Sequence, residues 1–167
     1  SYCQSKQMAQ DGHILCNDYL DYVSDVSPTQ WQKSYVRSGE DEIVHGLSVK
    51  NTIPNVSAVV FRRTDLVETM REYMDEITQF RVAGDWCAYV HLLKRGSCAF
   101  SAKSLNLHRR HDESVTISKF GRDELREIER MQKMVASTGR SDVHIYARLA
   151  KFYIETLKEN LQLNREI

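Results

Sequence analysis

This sequence lacks an excess of charge of either sign: 23 Lys and Arg balance 23 Asp and Glu over 167 residues. Without a basic surplus there is no electrostatic argument for nucleic acid or for an anionic membrane surface. No run of about 18 apolar residues occurs, so no transmembrane helix is expected. The opening Ser1-Tyr2-Cys3-Gln4-Ser5 has neither a basic nor an apolar region and is not a signal peptide. Cysteine is sparse: Cys3, Cys16, Cys87 and Cys98 are scattered with no CxxC pair. That spacing argues against a zinc ribbon, and for buried thiols of a cytosolic protein over a disulfide frame. Asp-x-Asp, GxGxxG, P-loop, HExxH and Gly-x-Ser-x-Gly patterns are all missing, as are internal repeats and low-complexity segments.

What is present suits one domain or a large piece of one, since 41% of the residues are hydrophobic. There is no initiator Met, and the chain enters directly into a strand pattern, which suggests a piece of a longer protein. Residues 2–7 and 13–16 read as short strands around a Gln10-Asp11-Gly12 turn. Ser27-Pro28-Thr29 reads as a helix start, with Trp31 and Tyr35 four apart on one face. Glu40, Asp41 and Glu42 form an acidic helix N-terminus ahead of Ile43. The Val-rich residues 56–61 are the best strand candidate in the chain. Asp65 with Glu68 reads as a capping box for a helix striped by Leu66, Met70, Tyr73, Met74 and Ile77. Trp86, Tyr89, Val90 and Leu93 give the next helical stripe, with Gly96 as its C-terminal stop. Residues 97–100 read as a short strand, and residues 105–111 as extended or irregular. Leu125, Ile128, Met131 and Val135 mark a further amphipathic helix. Thr138-Gly139 breaks it and Ser141-Asp142 caps another, which carries Ile145, Leu149, Phe152, Tyr153 and Leu157. The class is therefore α/β and α-rich, with a few short strands and a C-terminal helical hairpin.

Several residues have side chains suited to chemistry. Asp85 falls at the first turn of its helix, where the dipole and free N–H groups hold a carboxylate ionised and able to act as a general base. Taken alone, the same residue reads as a cap and Trp86 as core. His108-Arg109-Arg110-His111 is a dense cationic stretch. Arg forks match phosphate oxygens and a His can ligate a divalent metal, whereas the plain alternative is a solvated basic loop. Asn51-Thr52-Ile53-Pro54-Asn55 is a polar segment before the expected strand, either a site-lining loop or an ordinary turn. His45 and His91 read as structural.

Taken together, four segments resemble the family-two glycosyltransferases of the GT-A type. Residues 51–63 are similar to that family's helix-plus-strand after its nucleotide-sugar half. Ala83-Gly84-Asp85-Trp86 resembles its acidic motif, residues 92–100 its helix end and following strand, and residues 105–116 its "R-x-H-x-x-S-x-T" segment. The order and spacing carry the resemblance, which covers residues 1–118; the hairpin of residues 119–167 lies outside it.

The resemblance implies a partial GT-A fold: the acceptor-side, C-terminal portion of an inverting transferase that lacks its nucleotide-binding half. It implies Asp85 as catalytic base, Trp86, Asn51 and Asn55 at the acceptor site, and Arg109 and Arg110 on the donor diphosphate. His111 would lie at the metal, Mn2+ or Mg2+, held mainly by the missing half with its Asp-x-Asp. The implied partners are a nucleotide-sugar donor, a glycan or polysaccharide acceptor and the missing half itself, in the cytoplasm or at the inner face of the membrane. On this reading the isolated fragment is inactive. The alternative is a non-catalytic interaction module that keeps the fold.

Overall fold

The computed structural model describes residues 1–110, 121–137 and 143–163. It is mixed α/β, built on a four-stranded sheet of order β2-β1-β4-β3. The strands are β1 (Tyr2–Met8), β2 (Ile14–Cys16), β3 (Tyr35–Ser38) and β4 (Ser97–Arg109). β1 and β4 run parallel at the centre, with Tyr2 opposite Phe100 and Met8 opposite Arg109. Register shifts around Gln4 leave extra residues on β4, bulges that bend the longer strand. β2 and β3 pair antiparallel on either side. The β1–β2 turn uses Gly12 at φ +93°, the one positive φ among the described residues, as its Gln-Asp-Gly sequence predicts.

Among the described residues, six α-helices accompany the sheet: α1 (Leu20–Val23), α2 (Gly39–Glu42), α3 (Arg63–Ile77), α4 (Gly84–Leu93), α5 (Arg122–Ala136) and α6 (Val143–Leu163). The acids after Ser38 do begin a helix. Ser38 Oγ accepts from Asp41 N at 3.0 Å, and a π turn (Ile43–Leu47) continues it. α4 is the pivot of the core: Trp86, Cys87, Tyr89, Val90 and Leu93 are all buried. Met131 and Val135 of α5 join the same apolar cluster as Leu47 and Trp86. The C-terminal pair of helices is thus packed into the body. No described helix is long and apolar enough to cross a membrane.

Several expectations from pattern need correction. The Val-rich segment is not a strand. It forms a 3-10 turn (Val56–Ala58), and only Val59 makes a bridge, to Tyr2. Asn55 Oδ1 accepts from Ser57 N at 3.1 Å and from Ser57 Oγ at 2.7 Å. A side chain bonding its own backbone in this way competes with ladder formation. Val56 and Val60 are accordingly exposed. The helix expected after Ser27 is only a 3-10 turn (Gln30–Gln32), and Tyr35 lies in β3 opposite Phe100. Long-range polar partners override the helical spacing there. Trp31 Nε1 donates to Tyr2 Oη at 2.8 Å, and Tyr35 Oη reaches Glu42. The expected capping box is not formed either: Arg62 is the α3 N-cap without a side-chain bond, while Glu68 pairs with Arg95 at 3.4 Å. Gly96 is not a left-handed cap; its carbonyl accepts from Gly39 N at 2.7 Å.

Residues 97–100 are the start of a strand more than three times as long. It takes in residues 105–109 because β1 offers them a parallel partner. On α3, Met74 turns outward and Thr69 takes the buried place; on α6, Phe152 is 62% exposed and Ile154 is buried. The Thr138-Gly139 break and the Ser141-Asp142 cap lie outside the described residues, as does the side chain of Ile145. All four cysteines are free, Cys87 and Cys98 being buried.

Candidate active-site cleft

The parallel pair β1–β4 ends in register, with Arg110 N donating to Met8 O at 2.8 Å. In open α/β sheets the space outside the carboxyl ends of parallel strands is where ligands bind. A cleft of about 590 Å3, open to solvent, lies there. Gln7, His108 and Arg110 line it from the strand ends, Asn51 and Asp85 from the loop before the 3-10 turn and the start of α4. Tyr19 and Tyr22, together with Tyr153 of α6, complete the wall.

Asp85 reaches this place because α4 begins at Gly84 against the end of α3. A Cβ at Gly84 would lie 3.2 Å from Ile77 O. The approach of α4 is held from outside by α5. Glu127 Oε1 accepts from Arg81 N at 2.8 Å, and its Oε2 accepts from Val82 N at 2.9 Å and Ala83 N at 3.1 Å. One carboxylate therefore takes up free N–H groups at the helix start. Asp85 is left with Trp86 N at 2.7 Å and Asn51 Nδ2 at 3.3 Å on its Oδ1. Burial raises its carboxyl above the ordinary aspartate value, and those two hydrogen bonds oppose the rise. A carboxylate with few donors and raised basicity is suited to accepting a proton near neutral pH.

The other expected site residues divide sharply. Asn51 is in the cleft and doubly engaged: Oδ1 accepts from Ile53 N at 3.2 Å while Nδ2 orients Asp85. Asn55 borders the cleft, but its amide is spent on Ser57 and on Ser5 Oγ at 3.4 Å, and it is 7% exposed. Its role in the fold is to cap the 3-10 turn. Trp86 is 2% exposed and donates its indole N–H to Leu47 O at 3.0 Å, so it forms floor and core rather than a free aromatic face. Arg110 lines the cleft, but Arg109, one residue away on a strand, points to the other side and donates to Gln10 O at 2.7 Å. His111 lies outside the described residues.

His108, part of the cationic stretch, also reaches the cleft, while Tyr19 in its wall and Lys50 behind it had no local signature. Tyr19 Oη and His108 Nδ1 are hydrogen-bonded, and burial raises the Tyr19 hydroxyl pKa against the opposing pull of Arg110. Lys50, 4% exposed, donates to Tyr22 O at 2.7 Å and to both Asp25 oxygens at 3.0 Å. Its ammonium sits 4.2 Å from the Tyr22 ring centroid and 4.5 Å from that of Tyr153, tying α6 to the cleft wall. The period of two along β4 would have singled out His108 and Arg110 together; the Lys50 cluster joins segments far apart in sequence and left no such trace.

Among the described residues, no three His, Cys, Asp or Glu donors converge in this cleft. The one such group, Glu76, Cys87 and His91, lies elsewhere. The described cleft residues thus do not form a Mn2+ or Mg2+ site beside Asp85. Compared with protein-family models, with curated proteins and with solved structures, the chain matches none.

Proposed function

We propose that this chain is the acceptor-side portion of an inverting family-two glycosyltransferase of the GT-A type, with Asp85 as general base. The observation that carries this reading is a half-buried carboxylate, raised in pKa by desolvation and held by two hydrogen bonds, in a cleft at the carboxyl ends of parallel strands, shared with Arg110. Asp85 takes the proton of an acceptor hydroxyl as that oxygen bonds to the anomeric carbon of a nucleotide sugar. The bond from that carbon to the diphosphate breaks, and the nucleotide diphosphate leaves. Asn51 fixes the rotamer of the base. Arg110 offsets negative charge on the leaving group. The divalent metal would be held mainly by the nucleotide-binding half, and the resemblance also assigns His111 to it. That half is the proposed partner of the chain, working on a glycan or polysaccharide at the cytoplasmic face of a membrane.

The test is transfer from UDP-sugars with Mn2+. The chain alone should give no turnover; joined to a nucleotide-binding half it should transfer sugar, and Asp85→Asn should lower that rate by about 10^2- to 10^4-fold. Turnover by the isolated chain, or an unchanged rate for Asp85→Asn in the joined protein, would refute the proposal. The second of these results is what a non-catalytic interaction module predicts.

A further inference from the structure

A second cluster of reactive side chains lies away from the cleft, between α3 and α4. Cys87 and His91 are four residues apart on α4 and so share one face of the helix. Glu76, in the last turn of α3, faces them, and a ligand atom from each of the three lies within 4.8 Å of the others. His91 Nε2 is 3.0 Å from Glu76 Oε2. The imidazole is 6% exposed and stacks on Tyr73 with centroids 3.7 Å apart. Its Nδ1 has no hydrogen-bond partner. A buried polar atom without a partner is unusual in a well-packed helix pair.

We propose that Glu76, Cys87 and His91 form a binding site for a borderline-soft divalent cation such as Zn2+, with a water as fourth ligand. The donor set is sulfur, nitrogen and carboxylate oxygen, the set that zinc takes in tetrahedral sites. Zinc bonds of about 2.0–2.3 Å place neighbouring ligand atoms roughly 3.3–3.6 Å apart. His91 Nε2 and Glu76 Oε2, 3.0 Å apart, are already near that spacing, and a ligand atom of each of the three residues lies within 4.8 Å of the others. Cys87 gives its proton to solvent as the sulfur–metal bond forms, and Glu76 exchanges its bond to His91 for the ion. Tyr73 holds the imidazole plane in place. The site does not depend on the glycosyltransferase reading, since none of its residues lines the Asp85 cleft.

Co2+ is the probe, titrated into the full 167-residue chain under reducing conditions. One equivalent should produce tetrahedral visible bands and a near-ultraviolet thiolate-to-cobalt band. Cys87→Ser should abolish the near-ultraviolet band, and Glu76→Gln should weaken Co2+ binding by about tenfold or more. The double variant Cys3→Ser/Cys16→Ser should retain both signals. Zn2+ should displace Co2+ and, at equal concentration, raise the melting temperature of the wild type more than that of Glu76→Gln. Absence of the thiolate band at saturating Co2+, or its loss in the double variant, would overturn the proposal. Its persistence in a folded Cys87→Ser chain would do the same. If Cys87→Ser does not fold, unchanged Co2+ affinity in Glu76→Gln decides against the site.

Discussion

Glu127→Ala isolates the contact by which the C-terminal helices position Asp85. In the native chain the Glu127 carboxylate accepts three backbone N–H bonds, at 2.8, 2.9 and 3.1 Å, from residues 81–83. A hydrogen bond to a charged group contributes about 1.5–3 kcal/mol. The Arg81 bond is exposed, so water replaces it and its loss adds little. The Val82 and Ala83 bonds are partly buried and count at the low end, which gives about 3 kcal/mol for the alanine. Glu127→Gln keeps one acceptor oxygen and should lose about half of that. Urea melts should show a lower midpoint at unchanged slope, and thermal melts a drop of roughly 6–12 °C for Glu127→Ala. Amide exchange at Val82 and Ala83 should rise first, because those donors lose their partners. On the proposed function, the same variant joined to a nucleotide-binding half should lower the transfer rate, since α4 no longer begins against a fixed cap. If Glu127→Ala falls within about 0.5 kcal/mol of wild type, the range of an ordinary surface change, α5 does not hold the start of α4 and the argument fails.

Three further outcomes follow from the packing. Burial raises the folded-state pKa of Asp85, so its contribution to stability is present below the ordinary carboxylate value and lost as pH rises through the raised one. Urea melts should therefore show Asp85→Asn as stable as wild type or more so at neutral pH, lacking that increment in acid; a loss of about 1 kcal/mol at neutral pH would instead mark a simple cap. A Cβ at Gly39 would overlap Leu93 O, so Gly39→Ala should cost about 3 kcal/mol by the same melts, and a neutral result would mean that the α2–α4 contact is loose. Glu42 is fully buried, pairs with Arg37 and accepts from Tyr2 and Tyr35, so Glu42→Ala leaves buried donors unpaired and should cost about 3–5 kcal/mol, read as a lowered melting temperature; a shift under about 1 kcal/mol would show that solvent reaches the cluster.

The sequence by itself determined the elements whose information is local. The stripes of α4 and α5 repeat at helical spacing and face inward, because residues three and four apart share a face; the α3 stripe was legible as a helix, but Met74 faces out and Thr69 takes the buried place. The turn at Gly12 and the helix start after Ser38 are equally local, being set by a positive φ and by a hydroxyl bonding a nearby N–H. The position of Asp85 at the head of α4 was legible for the same reason. Only the tertiary structure decided which extended segments became strands, since a strand is stable only when a partner elsewhere takes its hydrogen bonds. Residues 105–109 found that partner in β1, and the more apolar residues 56–61 did not. The tertiary structure alone also fixed which candidates share the cleft. It sent Trp86 to the core, used up the Asn55 amide, and turned Arg109 away while Arg110 turned in. It brought Lys50, Tyr22 and Tyr153 together from segments up to 131 residues apart, a convergence set by burial and packing that no short window of sequence contains.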